Sequence, residues 1–333
     1  MASDIVSVRE PACGATRSAR ATLARVGAMK KKSGKKTRRQ ARDVERAAAH
    51  KDAAGRVHLT LHRDPKTGRA LVTLERALFD HDWQNHVAAA AAQTAYIALE
   101  GGPSVPRAVA LARDVLESMS RMAEGLLARA PVGSVACREG CDHCCYQSVG
   151  VTPPEALAIF AHLGATRSEA ELATLLLRVA DARERTRTLS ATERFSPEHP
   201  CVFLESGRCS IYEVRPLSCR GMNSLDADEC AKRLRDPETR AAFVASGAGS
   251  RSFLEPIRAF HAVSAGLQLA LAELHRLDMR PLDLIAAMHL LFTEGETIAR
   301  DWARGARAFE PALGGDSTGA LGIGSASGLA ERP

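Results

Sequence analysis

The sequence predicts a mainly α fold: a helical body with a small irregular cysteine-rich insert that contains a short β-hairpin. Three observations lead there. Aromatic residues make up only 4% of the chain while alanine and arginine are heavily used, which favours helix over strand. Apolar residues recur at helical spacing in several long stretches. Eight of the nine cysteines fall between residues 137 and 230, flanked by Arg, Glu, Asp and His rather than by core aliphatics.

The 333 residues suffice for one large domain or two small ones, with a core that needs no disulfides. We expect a disordered basic tail over 1–55, a helical domain over 56–311 with its cysteine region at 135–230, and a disordered Gly/Ser/Ala tail over 312–333. Charge follows the same division. Residues 1–51 hold 14 Lys/Arg against 4 Asp/Glu, a net of +10. The whole chain holds 45 against 39, so the remainder is 31 against 35, a net of −4. The basic character therefore belongs to the head, and the body is mildly acidic.

VHLTLHRDPKTGRALVTLERAL alternates at Val57, Leu59 and Leu61, and again at Val72 and Leu74 beyond Asp64-Pro65-Lys66-Thr67-Gly68. That is a β-hairpin, with His58 and His62 on its polar face. Asp80–Glu100 is alanine-rich and helical, ended by Gly101-Gly102-Pro103. Pro106 opens a helix to about Ala130, with a stripe at Val109, Leu111, Val115, Leu116, Met119, Met122, Leu126 and Leu127. Thr152-Pro-Pro-Glu155 is a capping box, and its helix should stop at Gly164. Ser168-Glu-Ala-Glu171 is a second box, opening a helix to about Leu189. Val202-Phe203-Leu204 and Cys209-Ser210-Ile211-Tyr212 flank Glu-Ser-Gly-Arg as a short hairpin turning at Gly207, which brings Cys201 near Cys209. Pro216 opens a short turn or helix carrying Cys219. Two more helices fill roughly 253–276 and 281–304.

The cysteines carry the chemistry. Four of them, Cys137, Cys141, Cys144 and Cys145, lie in CREGCDHCC. The others are Cys201, Cys209, Cys219, Cys230 and an isolated Cys13. Thiolates bind soft metals because sulfur is polarisable. Gaps of two to four residues let two sulfurs reach one ion without straining the backbone. Cys137, Cys141 and Cys144 have such gaps. Neighbouring side chains diverge, so Cys144 and Cys145 are not expected on one tetrahedral ion. One of them serves a second metal or stays a free, reactive thiol. Zinc or a [4Fe-4S] cluster would each take four thiolates, and the residue types do not separate the two. Arg138, Arg208, Arg215 and Arg220 are placed in sequence to offset the negative charge. Cys137-x₃-Cys141-x₂-Cys144 also has radical SAM spacing, but the strand–helix alternation of that barrel is missing from the sequence and His143 replaces the usual aromatic. Asp142 and His143 read as turn residues inside the cluster.

Cys-x₃-Cys-x₂-Cys-Cys at 137–145, then Pro200-Cys201-Val-Phe-Leu204 and Gly207-Arg-Cys209-Ser-Ile-Tyr212-Glu-Val-Arg215-Pro216-Leu-Ser-Cys219-Arg220, resembles the YkgJ-type cysteine-cluster family over residues 135–222. That is a zinc- or iron-chelating family that includes flagellin lysine-N-methylase-like proteins. The resemblance implies metal ligation by Cys137, Cys141, Cys144, Cys145, Cys201, Cys209 and Cys219, with Tyr212, Arg215 and Arg220 supporting the ligands. Cys230 lies beyond the strongest match and joins the candidates. The expected partner is thus a metal ion or cluster.

Several function classes stay open. One is a metal-binding protein without a defined reaction. Another is an iron–sulfur-dependent enzyme modifying a protein substrate, such as a lysine N-methylase. A third is a zinc-stapled binding module whose basic run at 29–51 touches nucleic acid. A fourth is a thiol switch at Cys145. Whether the chain is an enzyme is undecided by its sequence. No secretory signal or membrane span is visible, so we expect a cytoplasmic location, where clustered thiols read as metal-binding rather than as disulfides.

Overall fold

The computed structural model describes residues 45–51, 57–131, 133–246 and 251–314. Cys13, most of the basic run and residues 315–333 lie outside these residues; the first three residues of the expected C-terminal tail are ordered instead, with Ala312 buried and Leu313 bridged to Leu282. Among the described residues the fold is mainly α, with three small antiparallel sheets.

The N-terminal sheet has three strands in sequence order: β1 (Glu45–Lys51), β2 (Val57–Arg63) and β3 (Ala70–Leu74). The predicted hairpin is β2–β3, in register at Leu59↔Leu74 and Leu61↔Val72. Its turn is made by Asp64, whose carboxylate accepts from the amides of Lys66 and Thr67. Gly68 completes it with φ +66°. Strand β1 falls inside the stretch expected to be a tail. It pairs with β2, whose outer edge would otherwise carry unpaired backbone groups. His62 bonds Thr73 across the strands at 3.0 Å, so its ring serves the sheet. The His58 side chain lies outside the description.

Helix α1 (Asp82–Ala98) turns its alanines to the core and carries the sheet. Gln93 accepts from the Val72 amide at 2.6 Å and donates to the Ala70 carbonyl at 3.1 Å. Helix α2 (Val105–Leu127) is capped by Ser104, and Leu111, Val115, Leu116 and Met119 of the predicted stripe are buried. Helix α3 (Pro153–Thr166) begins at the predicted capping box, with Glu155 bonding the Thr152 amide at 2.9 Å. It does not stop at Gly164. That glycine is helical with open space around its Cα, so nothing there requires a left-handed residue, and the helix ends two residues on. Helix α4 (Glu169–Thr186) starts at the Ser168/Glu171 box and buries Leu175 and Val179. A third such pair, Ser190 and Glu193, opens the one-turn helix α5 (Ala191–Arg194).

Beyond the second cysteine group come α6 (Leu217–Gly221), α7 (Ala227–Arg235) and α8 (Pro237–Ser246). Helices α7 and α8 add to the elements that the sequence predicts. Helix α9 (Leu254–Leu269) runs on into a π turn at Ala270–Leu274. Helix α10 (Leu284–Ala303) begins at Asp283, which caps it, rather than at Pro281. The intervening Leu282–Asp283 instead pairs with Gly150–Val151, the segment leaving the first cysteine group.

Helices α1 and α9 approach each other closely. A Cβ on Gly266 would lie 2.0 Å from the Ala88 carbonyl oxygen. Helices α2, α3, α6 and α10 complete one continuous core with Phe203, Ile211 and Trp302 fully buried. Among the described residues, no helix is long and apolar enough to cross a membrane.

Candidate metal centre

Four separate segments deliver the eight thiols. The first is the irregular loop before α3. A turn from Arg138 to Cys141 closes through the Cys141 amide on the Arg138 carbonyl, 3.0 Å, with Gly140 at φ +82°. This folds Cys141 back toward Cys137. A single 3₁₀ turn, His143–Tyr146, then carries Cys144 and Cys145. The loop is pinned at both ends. The Ala136 amide donates to the Ser224 carbonyl at 2.8 Å, and the Cys201 amide donates to the Cys145 carbonyl at 2.7 Å.

The second segment is the predicted hairpin, with strands β4 (Leu204–Glu205) and β5 (Arg208–Cys209). Ser206 and Gly207 both have positive φ, 49° and 75°, the signature of a type I′ turn. Val202, Phe203 and Ile211 are buried and fix the hairpin to the core. Cys201 and Cys209 stand at its two ends.

The third segment is α6, carrying Cys219. Its first free amide, Leu217, donates to Glu155 at 2.8 Å. The same carboxylate caps α3 through Thr152. One buried acid therefore sets the angle between the two helices, and burial pushes its pKa up. Arg220 holds the other side. It is buried, and its guanidinium donates to the carbonyls of Arg215 (2.9 Å), Tyr212 (3.2 Å) and Glu213 (2.5 Å), and to the Ser120 hydroxyl on α2.

The fourth segment is α7, with Cys230. Asp226 caps it by accepting from the Glu229 amide, which holds the Asp226 carboxyl below its ordinary value. Arg233, one turn beyond Cys230, donates to its sulfur at 3.2 Å and lies over the Phe243 ring at 4.3 Å. Cys137 accepts from the Ser224 amide at 3.2 Å.

The structure brings the eight candidate cysteines into one neighbourhood. None of them is in a disulfide. Cys137, Cys141, Cys144 and Cys230 line a common cavity of about 60 Å³ with His143 and Arg233. Cys201 responds to the charges of Cys219 and Cys209, and Cys219 to those of Cys144 and Cys209. Burial pushes both Cys201 and Cys219 up to about 12. Arg215 opposes this at Cys219, and Arg194 at Cys201. The Cys144 thiol is raised first by its hydrogen bond with Cys145. Thiols gathered beside fixed guanidinium groups form a donor set that soft divalent metals match. Among the described residues, no three Cys, His, Asp or Glu side chains already stand where they could hold a metal ion.

Residues 136–236 match the CxxCxxCC family model, described as "Putative zinc- or iron-chelating domain".

The match spans the cysteine region from Cys137 through Cys230, and the YkgJ-type resemblance agrees with it. It supports a metal-chelating role for this part of the chain. No curated protein and no solved structure matches the chain.

The supporting residues divide differently from their expectation. Tyr212 is 63% exposed, with Arg215 over its ring at 4.9 Å. Arg215 acts on the thiols by its charge, and Arg220 chiefly by hydrogen bonds that shape the loop. Arg208 pairs with Glu139 at 3.1 Å, linking the first loop to the hairpin at an exposed position. His143 lies 3.8 Å from Asp142. Sequence reasoning missed Arg194, Arg233 and the second role of Glu155. Arg233 was accessible in principle, since residues three apart share a helix face. Arg194 and Glu155 reach the centre through tertiary contacts alone.

Proposed function

We propose that the chain is a metal-chelating protein whose thiolates, drawn from Cys137, Cys141, Cys144, Cys145, Cys201, Cys209, Cys219 and Cys230, hold zinc or a [4Fe-4S] cluster. The observation that carries this reading is the convergence of thiols from four segments beside Arg194, Arg215, Arg220 and Arg233. Holding that many thiols close together makes their ionisation costly, because the thiolates repel one another, and a bound cation offsets that repulsion. The cavity beside them, about 60 Å³, is far smaller than the several hundred Å³ typical of small-molecule pockets. The geometry therefore favours chelation over an organic substrate held at the thiols.

The test is the metal content of the full chain purified without oxygen. Zinc bound in stoichiometric amount supports the reading, as does a brown protein with iron and acid-labile sulfide in equal amounts. A chain that stays metal-free after exposure to zinc and to iron with sulfide overturns it.

A further inference from the structure

Cys137, Cys141 and Cys144 of the first loop and Cys230 of α7 line one cavity of about 60 Å³, which has room for an ion and a few water-sized groups. Cys201, Cys209 and Cys219 do not line it. Three observations make α7 one wall of this cavity. The 3₁₀ turn that carries Cys144 packs against α7. Ser224, just ahead of that helix, is tied to the first loop: the Ala136 amide donates to its carbonyl at 2.8 Å, and its own amide donates to the Cys137 sulfur at 3.2 Å. Arg233, only 7% exposed, donates to the Cys230 sulfur at 3.2 Å and is held over the Phe243 ring on α8 at 4.3 Å. Two of the four sulfurs therefore already accept N–H donors of the kind that favour a thiolate. Cys145 stands beside the site. It does not line the cavity, but its thiol is hydrogen-bonded to that of Cys144.

We propose that Cys137, Cys141, Cys144 and Cys230 hold one metal ion at this cavity, so that the ion fastens the first loop to α7, with Cys145 supporting it through Cys144. The proposal rests on the chelation reading above. Four sulfurs are what tetrahedral zinc requires. No three of them already stand where they could hold an ion, and one staggered step about a cysteine's single side-chain torsion re-aims its sulfur with the backbone in place. Four thiolates around a dication leave about two negative charges. The buried Arg233 guanidinium offsets part of that charge beside Cys230. Cys137 and Cys144 are exposed, which gives an ion a way in. Without Cys230 the cavity would offer three sulfurs from a single loop, and nothing in the shell would join that loop to α7.

The experiment uses the full chain, stripped of metal without oxygen and then loaded with zinc. Iodoacetamide followed by peptide mass spectrometry reads each cysteine before and after loading. Cys230 should lose its reactivity together with Cys137, Cys141 and Cys144, and amide exchange in α7 should slow. This measurement needs no variant. Cobalt(II) in place of zinc then reads the number of sulfur ligands. C230S should bind cobalt at least about tenfold more weakly, with roughly a quarter of the sulfur-to-metal absorption lost from that site. C145S, whose hydroxyl keeps a hydrogen bond to Cys144, should lose less affinity than C230S. Circular dichroism identifies any variant that fails to fold. The proposal is overturned if Cys230 stays as reactive in the zinc-loaded chain as in the stripped one. It is overturned as well if a folded C230S binds cobalt like the wild type, or if C145S rather than C230S loses the ion. Uptake of iron and sulfide, but of neither zinc nor cobalt, also overturns it while upholding chelation. Binding of no metal in any form removes both readings together.

Discussion

Arg220 shows how one side chain can shape a centre without binding metal. Its guanidinium gathers three carbonyls from the turn between Cys209 and Cys219 and ties them to Ser120 on α2. Arg220→Met leaves those buried acceptors without their donor. It should cost about 3 kcal/mol, seen as a lower urea midpoint at unchanged slope. Arg220→Lys keeps the charge but not the planar fork, so it should recover only part of the loss. Recovery in full would mean that charge, not geometry, is what Arg220 supplies. Arg194 makes a similar point from further away. It pairs with Asp283 at 2.6 Å in a buried bridge, and Asp283 also caps α10. Asp283→Asn preserves the cap yet leaves a buried guanidinium unpaired, for which a loss of about 3 kcal/mol is expected in the same unfolding measurement.

At the scale of elements, the hairpin and α6 set where three of the thiols stand. The two turn residues should respond with opposite signs. Gly207 has φ +75° and Ser206 φ +49°. Gly207→Ala puts a Cβ where L-residues are strained and should cost about 1 kcal/mol. Ser206→Gly relieves the same strain at an exposed site and should raise the melting temperature. Two changes of the same sign would rule out a type I′ turn. Helix α6 depends on Gly221, where a Cβ would lie 2.9 Å from Cβ of Phe260 on α9. Gly221→Ala should therefore push α6 away from α9. We expect a stability loss of about 1–3 kcal/mol together with weaker metal binding, because Cys219 moves with the helix. A stability loss with metal affinity unchanged would separate the helix from the centre.

For the whole molecule, the pH response follows from half-buried histidines. Burial lowers the pKa of His261, His275 and His289 below the ordinary 6.5, with Arg183 adding to the effect at His289. The folded state thus prefers neutral rings, while the unfolded chain binds protons readily. Their contribution to stability is fully present above 6.5 and is lost as the pH falls from there through the folded values. The melting temperature should drop between about pH 7 and about pH 5, before the carboxylates titrate. Replacing His275, which stacks on Tyr96 at 5.7 Å, with Phe should flatten part of that slope. An unchanged slope would exclude His275 from the response.

The sequence by itself determined the local decisions. Helix starts were legible at Thr152 and Ser168 because a capping box is a short-range bond between residues three apart. The stripe of α2, the β2–β3 hairpin and the turn at Gly207 were legible for the same reason, and so was the cysteine set that a family model now matches. What the tertiary structure decided involves groups far apart in the chain. Strand β1 exists through its pairing with β2, and α10 starts late because Leu282–Asp283 pairs with Gly150–Val151. Glu155 joins α3 to α6 across 62 positions, and Arg220 reaches back 100 positions to Ser120. The sorting of the thiols is of this kind too. Spacing made Cys144 and Cys145 look alike. Cys144 lines the cavity with Cys137, Cys141 and Cys230 and Cys145 does not, because how segments pack decides which sulfurs meet, and sequence spacing does not record that.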